Sequence, residues 1–280
     1  MPTLDNYLQQ IRTLPPAPRV LVELLPLLRA ADTDSDKIAE LIAYDPALTT
    51  KLLCRCNSAA FGLSAAVESV EDAITHLGFN EVYRLVAMLV SQSTLGTAQK
   101  GYGMEAGDLW RHSAVTAFAS RFVAKSFFGD ENTAFTAGLL HDIGKILLNW
   151  ALVGGYPAVA DKIRDLGYSF SGAEKEVLGL DHAELGGRIL DHWKFPANLV
   201  SAVWHHHDPM QAQPYEQLAS HVHLGDLIAH SLGIGDGANS HAIVPCAEAL
   251  AMLEITAKDL DTMILDTGAA LKASGWILEE

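Results

Sequence analysis

An adjacent histidine and aspartate, His141 and Asp142, follow directly on the apolar run Ala134–Leu140 and precede Ile143, Gly144 and Lys145. A carboxylate delivered into apolar surroundings is costly to bury alone, so Asp142 needs a cation, a metal ion or several donors. Imidazole beside carboxylate suits a divalent transition metal. A helix cap followed by a glycine turn would use the same two residues, and the pair alone does not decide. Four further segments offer the same ligand chemistry. His112 shares the stripe of Leu109, Thr116, Ala119 and Val123 and so faces inward, with Asp108 one turn earlier on that face. A core histidine satisfied by a backbone carbonyl is its other reading. Asp181-His182-Ala183-Glu184 opens a helix through Leu185, Ile189 and Trp193, with Asp181 as cap, Glu184 reaching back and His182 left in the first turn. The next helix begins at Pro196 and ends in Trp204-His205-His206-His207-Asp208-Pro209. Histidines there complement the helix dipole, but three in a row exceed that need. Asp226 sits on the flank of the apolar face Leu218, Val222, Gly225 and Ala229, where it would be partly buried, with His223 and His230 nearby. A solvated polar edge is the alternative for Asp226.

The elements that must position these residues read as helices throughout. Apolar residues recur at helical spacing, and β-branched runs with period-two alternation are scarce. A short helix follows Pro2, Leu14-Pro15-Pro16-Ala17-Pro18 breaks the chain, and a second helix carries Val20, Leu24, Leu27 and Leu28. Ser35 caps a helix over 37–43. Asp45-Pro46 opens another that ends near Asn57, by the rule that proline is tolerated in the first turn. Ser69 with Glu71 and Asp72 starts the next, which stops at Gly78, and Asn80 caps the one after. No fixed repeat is present, which favours a compact bundle over a solenoid. The glycine-rich segment Gly96–Gly107 is the expected boundary between an N-terminal lobe, 1–95, and a histidine-rich lobe, 96–280, packed together as one unit.

Composition narrows the function classes. The 280 residues are 49% hydrophobic and 19% charged, which is globular and long enough for a sizeable core. Apolar runs fall far below the roughly 18–20 residues of a bilayer span, and the N-terminus lacks a basic segment followed by an apolar one. Three cysteines, Cys54, Cys56 and Cys246, are an odd count that argues against a disulfide framework, and a cytoplasmic location is expected. The net charge of −15, with Lys and Arg scattered singly, argues against nucleic acid as a partner, and no membrane association is expected. Most of the twelve histidines fall between His112 and His241, internal to the chain.

In chain order the candidates run His112, His141-Asp142, His182, His206-His207 and Asp226. That order resembles the HD superfamily of metal phosphohydrolases, whose signature is His, then His-Asp, then a distant Asp. The extended histidine set and His141-Asp142-Ile143-Gly144-Lys145 are similar to the HD-GYP branch. The N-terminal lobe resembles the HDOD family in Leu14-Pro15-Pro16-Ala17-Pro18, Asp45-Pro46-Ala47-Leu48, Asn57-Ser58-Ala59-Ala60-Phe61, and Ala73-Ile74 with Leu77-Gly78; His206-His207-Asp208-Pro209 fits it too. The resemblance covers nearly the whole chain. It implies an all-α fold, an HD-type helical bundle with an N-terminal helical lobe packed against it. It also implies one or two divalent metal ions (Fe, Mn, Zn or Ni): one held by His112, His141, Asp142 and Asp226, a second by His182, His206 and His207, with Asp142 bridging. Lys145 would supply positive charge near a phosphate, which makes Lys145 and Asp142 the catalytic candidates. Two departures stand out. Asp208 occupies a place where HD-GYP proteins usually have Glu, and no Gly-Tyr-Pro motif follows, which argues against cyclic dinucleotide hydrolysis. HDOD proteins commonly lack most HD ligands and have no established catalytic activity. The leading expectation is therefore a bacterial signal-transduction module whose metal centre is a sensor or structural brace, with output by contact with other signalling proteins. The alternative is a metal-dependent phosphohydrolase or phosphodiesterase acting on a phosphorylated small molecule or cyclic nucleotide. A metal-free buried polar network is the third reading.

Overall fold

The structure, a computed structural model, describes residues 19–29, 35–63, 66–149, 152, 159, 169–234 and 245–274. The short helix expected after Pro2 and the Leu14–Pro18 break lie outside the described residues. Among those described there is no strand, only an isolated bridge between Gln99 and Met104, and the fold is all-α as the periodicity requires. No helix of the described residues is long and apolar enough to cross a membrane.

The first five helices are α1 (Arg19–Arg29), α2 (Ser35–Ala43), α3 (Pro46–Cys56), α4 (Val70–Leu77) and α5 (Phe79–Leu95). Local chemistry starts them. Asp45 caps α3 by accepting from the backbone N–H of Ala47 and Leu48 at 2.9 and 3.1 Å, with Pro46 in the first turn. Ser69 caps α4 through Asp72 N–H at 3.0 Å. At the end of α3, Asn57 clamps Val67, accepting from its N–H at 2.8 Å and donating to its carbonyl at 2.9 Å. Two expected starts are corrected. α2 begins at Ser35 itself rather than after it. α5 begins at Phe79, after Gly78 turns the chain with φ of 78°; Asn80 lies inside its first turn, and its side chain accepts from Asn132 Nδ2 at 2.8 Å instead of capping.

The second set comprises α6 (Asp108–Ser126), α7 (Glu131–Leu140), α8 (Phe170–Leu178), α9 (His182–His192), α10 (Ala197–Trp204), α11 (Glu216–Ser231), α12 (Ala247–Met252) and α13 (Ala257–Ser274). α6 is the axis of this set, buried on nearly every side and packed most extensively against α7 and α11. Small residues make the approach close. A Cβ on Gly138 of α7 would lie 2.9 Å from Thr116 O, and one on Gly225 of α11 would lie 2.8 Å from the same atom. Two glycines therefore let two helices press on one turn of α6, immediately beside the residues that carry Asp142 and Asp226.

One apolar core runs through both sets, from Leu21 and Ile42 through Tyr83 and Met88 to Leu139, Leu185 and Val222. Polar contacts tie them at depth. The Tyr83 and Thr136 hydroxyls share a hydrogen bond of 2.6 Å, and Trp110 Nε1 donates to Met88 O at 3.2 Å. The segment 96–107 is itself packed in, with Gln99, Gly101, Tyr102 and Met104 buried and Asn149 Oδ1 accepting from Gly101 N–H at 2.7 Å.

Candidate metal centre

Three helices converge on one point. His112 comes from the second turn of α6, His141 and Asp142 from the turn that ends α7, and Asp226 from α11 one residue after the close-packed Gly225. All four are buried. His182 opens α9, held there by Asp181, whose carboxylate accepts from Glu184 N–H at 2.8 Å. The expected reciprocal bond from Glu184 does not form, because Glu184 accepts from Arg188 at 2.7 Å instead. His206 and His207 follow the end of α10, with His206 pointing into the core and His207 half-buried.

The turn carrying the His-Asp pair sits directly on α9. A Cβ at Gly144 would lie 2.0 Å from His182 O and 2.7 Å from Gly186 N, so only glycine allows the turn to rest there. This contact brings Asp142 Oδ1 to 3.3 Å from His182 Nε2. On the other side, His112 Nε2 is 3.0 Å from Asp226 Oδ1 and 3.7 Å from Asp142 Oδ2, and His141 Nε2 is 3.5 and 3.4 Å from the same two oxygens. His207 Nε2 lies 2.9 Å from His182 Nε2. Lys145 Nζ donates to Asp142 Oδ2 at 2.5 Å.

The protons can be placed from the partners. His141 Nδ1 faces Gly138 O at 2.7 Å, His206 Nδ1 faces Val203 O at 2.7 Å, and His112 Nδ1 faces Ile234 O at 3.3 Å. Carbonyl oxygens only accept, so each Nδ1 carries a hydrogen, and Nε2 turns a lone pair inward wherever the ring is neutral. His182 does the same with a carboxylate, donating from Nδ1 to Glu174 Oε2 at 2.6 Å. His141 Nε2, His206 Nε2 and Asp142 Oδ1 have no hydrogen-bond partner although fully buried. Lone pairs facing carboxylate oxygens across a dry interior repel unless a cation or proton lies between them. A histidine whose other nitrogen is anchored to a carbonyl or carboxylate is the usual arrangement of a metal ligand.

The electrostatics agree. Burial would raise both aspartates, but His141 and Lys145 hold Asp142, and His230 and His112 hold Asp226, well below the ordinary carboxylate range. Burial, with His141 and His182 nearby, pushes His206 down to about 3, and burial with His206 and His182 pushes His207 well down. Burial likewise lowers His112. These groups are thus ionised carboxylates and neutral imidazoles at neutral pH, the forms that bind metal. His141 and His182 differ: burial opposes their protonation, yet Asp142 and Asp226 outweigh it at His141 and raise that ring to about 10, and Glu174 and Asp142 raise His182.

All seven metal candidates and Lys145 are brought together. The donor atoms fall into overlapping groups that could each hold an ion: His112, His141 and Asp226; His141, Asp142 and His206; His182, His206 and His207. A cleft of about 470 Å³ reaches Asp142, Lys145, His182, His207 and Asp226 on its floor, with Ser171, Lys175, Trp204 and Gln211 among its walls. Asp226 is wholly buried, not partly as its wheel position indicated, and Asp108 turns away to accept from Arg111. Other residues belong to the site beyond the seven metal candidates and Lys145. Glu174, fully buried, anchors His182. His230 Nε2 lies 3.4 Å from Asp226 Oδ1 and lines the cleft. His223 donates to His206 O at 2.9 Å and accepts from Cys246 N–H at 2.9 Å, which fixes the loop carrying His206. The neighbourhood of Asp226 drew attention to His223 and His230, whereas nothing in Gly172-Ala173-Glu174-Lys175-Glu176 sets Glu174 apart.

The family model for the HDOD domain matches residues 14–209. The chain belongs to the HDOD domain family. Asp226 and α11 lie beyond the matched segment of the HDOD domain. An uncharacterised protein of Treponema pallidum is 26% identical over 253 residues, covering 84% of this chain and 45% of that protein. Ribonuclease Y of Campylobacter jejuni is 26% identical over 156 residues, covering 56% of this chain and 24% of the enzyme. The HDOD chain thus spans less than half the length of these curated relatives. Among solved structures, a proposed phosphohydrolase from Shewanella amazonensis superimposes with a TM-score of 0.70 at 27% identity, covering 96% of this chain and 95% of that one. An HDOD domain protein of unknown function from Geobacter sulfurreducens gives 0.73 at 19% identity over 99% and 98%, a likeness of fold.

Proposed function

We propose that this HDOD chain carries a metal-dependent phosphohydrolase centre of HD type that holds two divalent cations and acts on a phosphate ester. The observation that carries the reading is the set of four imidazoles, His112, His141, His182 and His206, each anchored through Nδ1 and gathered around two ionised aspartates, Asp142 and Asp226, which with His182 and His207 reach an accessible cleft. A purely structural site closes over its ion, whereas a catalytic one keeps an open face. By this reading His112, His141, Asp142 and Asp226 hold one cation, and His182, His206 and His207 hold the other, with Asp142 shared. The cations, when bound, supply Lewis acidity toward a phosphoryl group at neutral pH. Imidazole with carboxylate suits iron, manganese, zinc or nickel. The chain's own contribution is positional. Gly144 seats the His-Asp turn on α9, and Lys145 directs a buried ammonium along the cleft floor. The 27% identical Shewanella protein, matched over nearly its whole length, supports the same class.

A second reading is favoured by one observation: Lys145 is already committed to Asp142 and buried, as a brace would require. In that case the centre senses metal or stiffens the HDOD unit, and output passes by contact with other signalling proteins. Elemental analysis of untagged protein purified without chelator, followed by an assay of Mn²⁺- and Fe²⁺-loaded protein on activated phosphomonoesters and phosphodiesters, separates the two. Two metals with turnover supports hydrolysis; two metals without turnover supports the brace or sensor. No metal above trace refutes both.

A further inference from the structure

Behind His182 stands a chain of buried polar groups. Glu174 of α8 is completely buried, and its Oε2 takes two hydrogen bonds, from His182 Nδ1 at 2.6 Å and His182 N–H at 2.9 Å. Its Oε1 takes a third from the Tyr102 hydroxyl at 2.5 Å. A buried carboxylate with three donors has no freedom to swing, so the orientation of the imidazole is inherited from Glu174 and that of Glu174 from Tyr102. Tyr102 belongs to the 96–107 segment that joins the two helical sets. It is held by stacking on Phe170, with ring centroids 5.3 Å apart. Its other face lies near Lys145, whose Nζ is 5.6 Å from the ring centroid.

We infer that Tyr102 and Glu174 are positioning residues for His182, and that they make the affinity of the second cation depend on how the 96–107 segment is seated. The inference rests on the two-metal reading above. Burial and hydrogen bonding of Tyr102 leave little other purpose for a hydroxyl there, since phenylalanine would fill the same space against Phe170. Glu174 supplies negative charge to the outer nitrogen of a ligand, which strengthens that ligand; of the first cation's residues only Asp142, shared by both ions, faces His182.

The test is titration of chelator-treated full-length protein with Mn²⁺ by calorimetry, with elemental analysis of the loaded product. Wild-type protein binds two ions. In Glu174→Ala and Tyr102→Phe one of the two binding events stays within about threefold of wild type, while the other loses about 10- to 100-fold. Glu174→Gln, which keeps an acceptor but not the charge, falls between. Tyr102→Phe removes one oxygen and remains decisive where Glu174→Ala fails to fold. Folded variants that bind both ions with wild-type affinity would overturn the inference. So would variants in which both events weaken equally, together with the melting temperature of the metal-free protein, since that is what a merely structural role predicts. Wild-type protein that takes up no metal overturns the two-metal reading itself.

Discussion

Replacing Gly144 by alanine tests how the His-Asp turn is joined to α9. The added Cβ would stand 2.0 Å from His182 O, against a normal contact of 3.4 Å or more, so the two backbones must part by about 1.4 Å. The obstructing atoms are main chain, and no rotamer change relieves them. Overpacking of this kind costs about 1–3 kcal/mol. For a chain of this size that corresponds to a fall in melting temperature of roughly 2–4 °C per kcal/mol. The same movement carries His182 Nε2 from 3.3 Å toward roughly 4.7 Å from Asp142 Oδ1, beyond the reach of a shared ion of ordinary ligand distances near 2.0–2.2 Å. Gly144→Ala should therefore lose one of two bound metals as well as stability. Denaturant unfolding of the metal-free protein measures the first effect and elemental analysis of the loaded protein the second. A variant within about 0.5 kcal/mol of wild type that keeps both metals would refute the argument from close packing.

His141→Ala and Asp142→Ala should each lower bound metal and remove the metal-dependent part of the stability, read as the shift in melting temperature between chelator and Mn²⁺. Asp226→Asn keeps shape and removes charge, and should abolish any phosphoesterase turnover; persistence of wild-type rates would exclude Asp226 as a ligand. His221, away from the centre, is lowered by burial to about 4 from 6.5, so its folded-state pKa is depressed. The unfolded chain binds its proton first, so this stability is present above pH 6.5 and declines as pH falls toward 4; between pH 7 and 5 the loss is about 2 kcal/mol. Denaturant curves at both pH values should show wild type losing that much more than His221→Phe, and equal losses would disprove it. Asp45→Ala should cost about 1 kcal/mol of stability, as the loss of two N–H acceptances at the start of α3, measured by the same method.

What the sequence made legible was whatever depends on neighbours in the chain. Asp45, Ser69 and Asp181 cap their helices as read, because the groups they satisfy lie two or three residues away. His112 faces inward because helical spacing sets its direction. Asn80 was misread because the turn at Gly78 starts the helix earlier and Asn132, 52 residues on, claims its side chain. Glu184 was misread because Arg188 offers a charged donor on the same face. Glu174 could not be read at all: its partners are His182 and, 72 residues before it, Tyr102, and only packing makes them neighbours. Asp226 lies deeper than its wheel position indicated because Gly225 lets α11 approach α6 more closely than ordinary side chains allow.

The unbroken core from Leu21 to Val222 has a thermodynamic corollary. Where helices that share one interior unfold together, an ion held beside Asp142 would raise the cost of opening α1 as well as α11. Coupling of this sort is reciprocal. Whatever grips the outer face of the first five helices would tighten or loosen the hold on the ion by the same factor by which the ion tightens or loosens that grip, and the two affinities could be measured from either end.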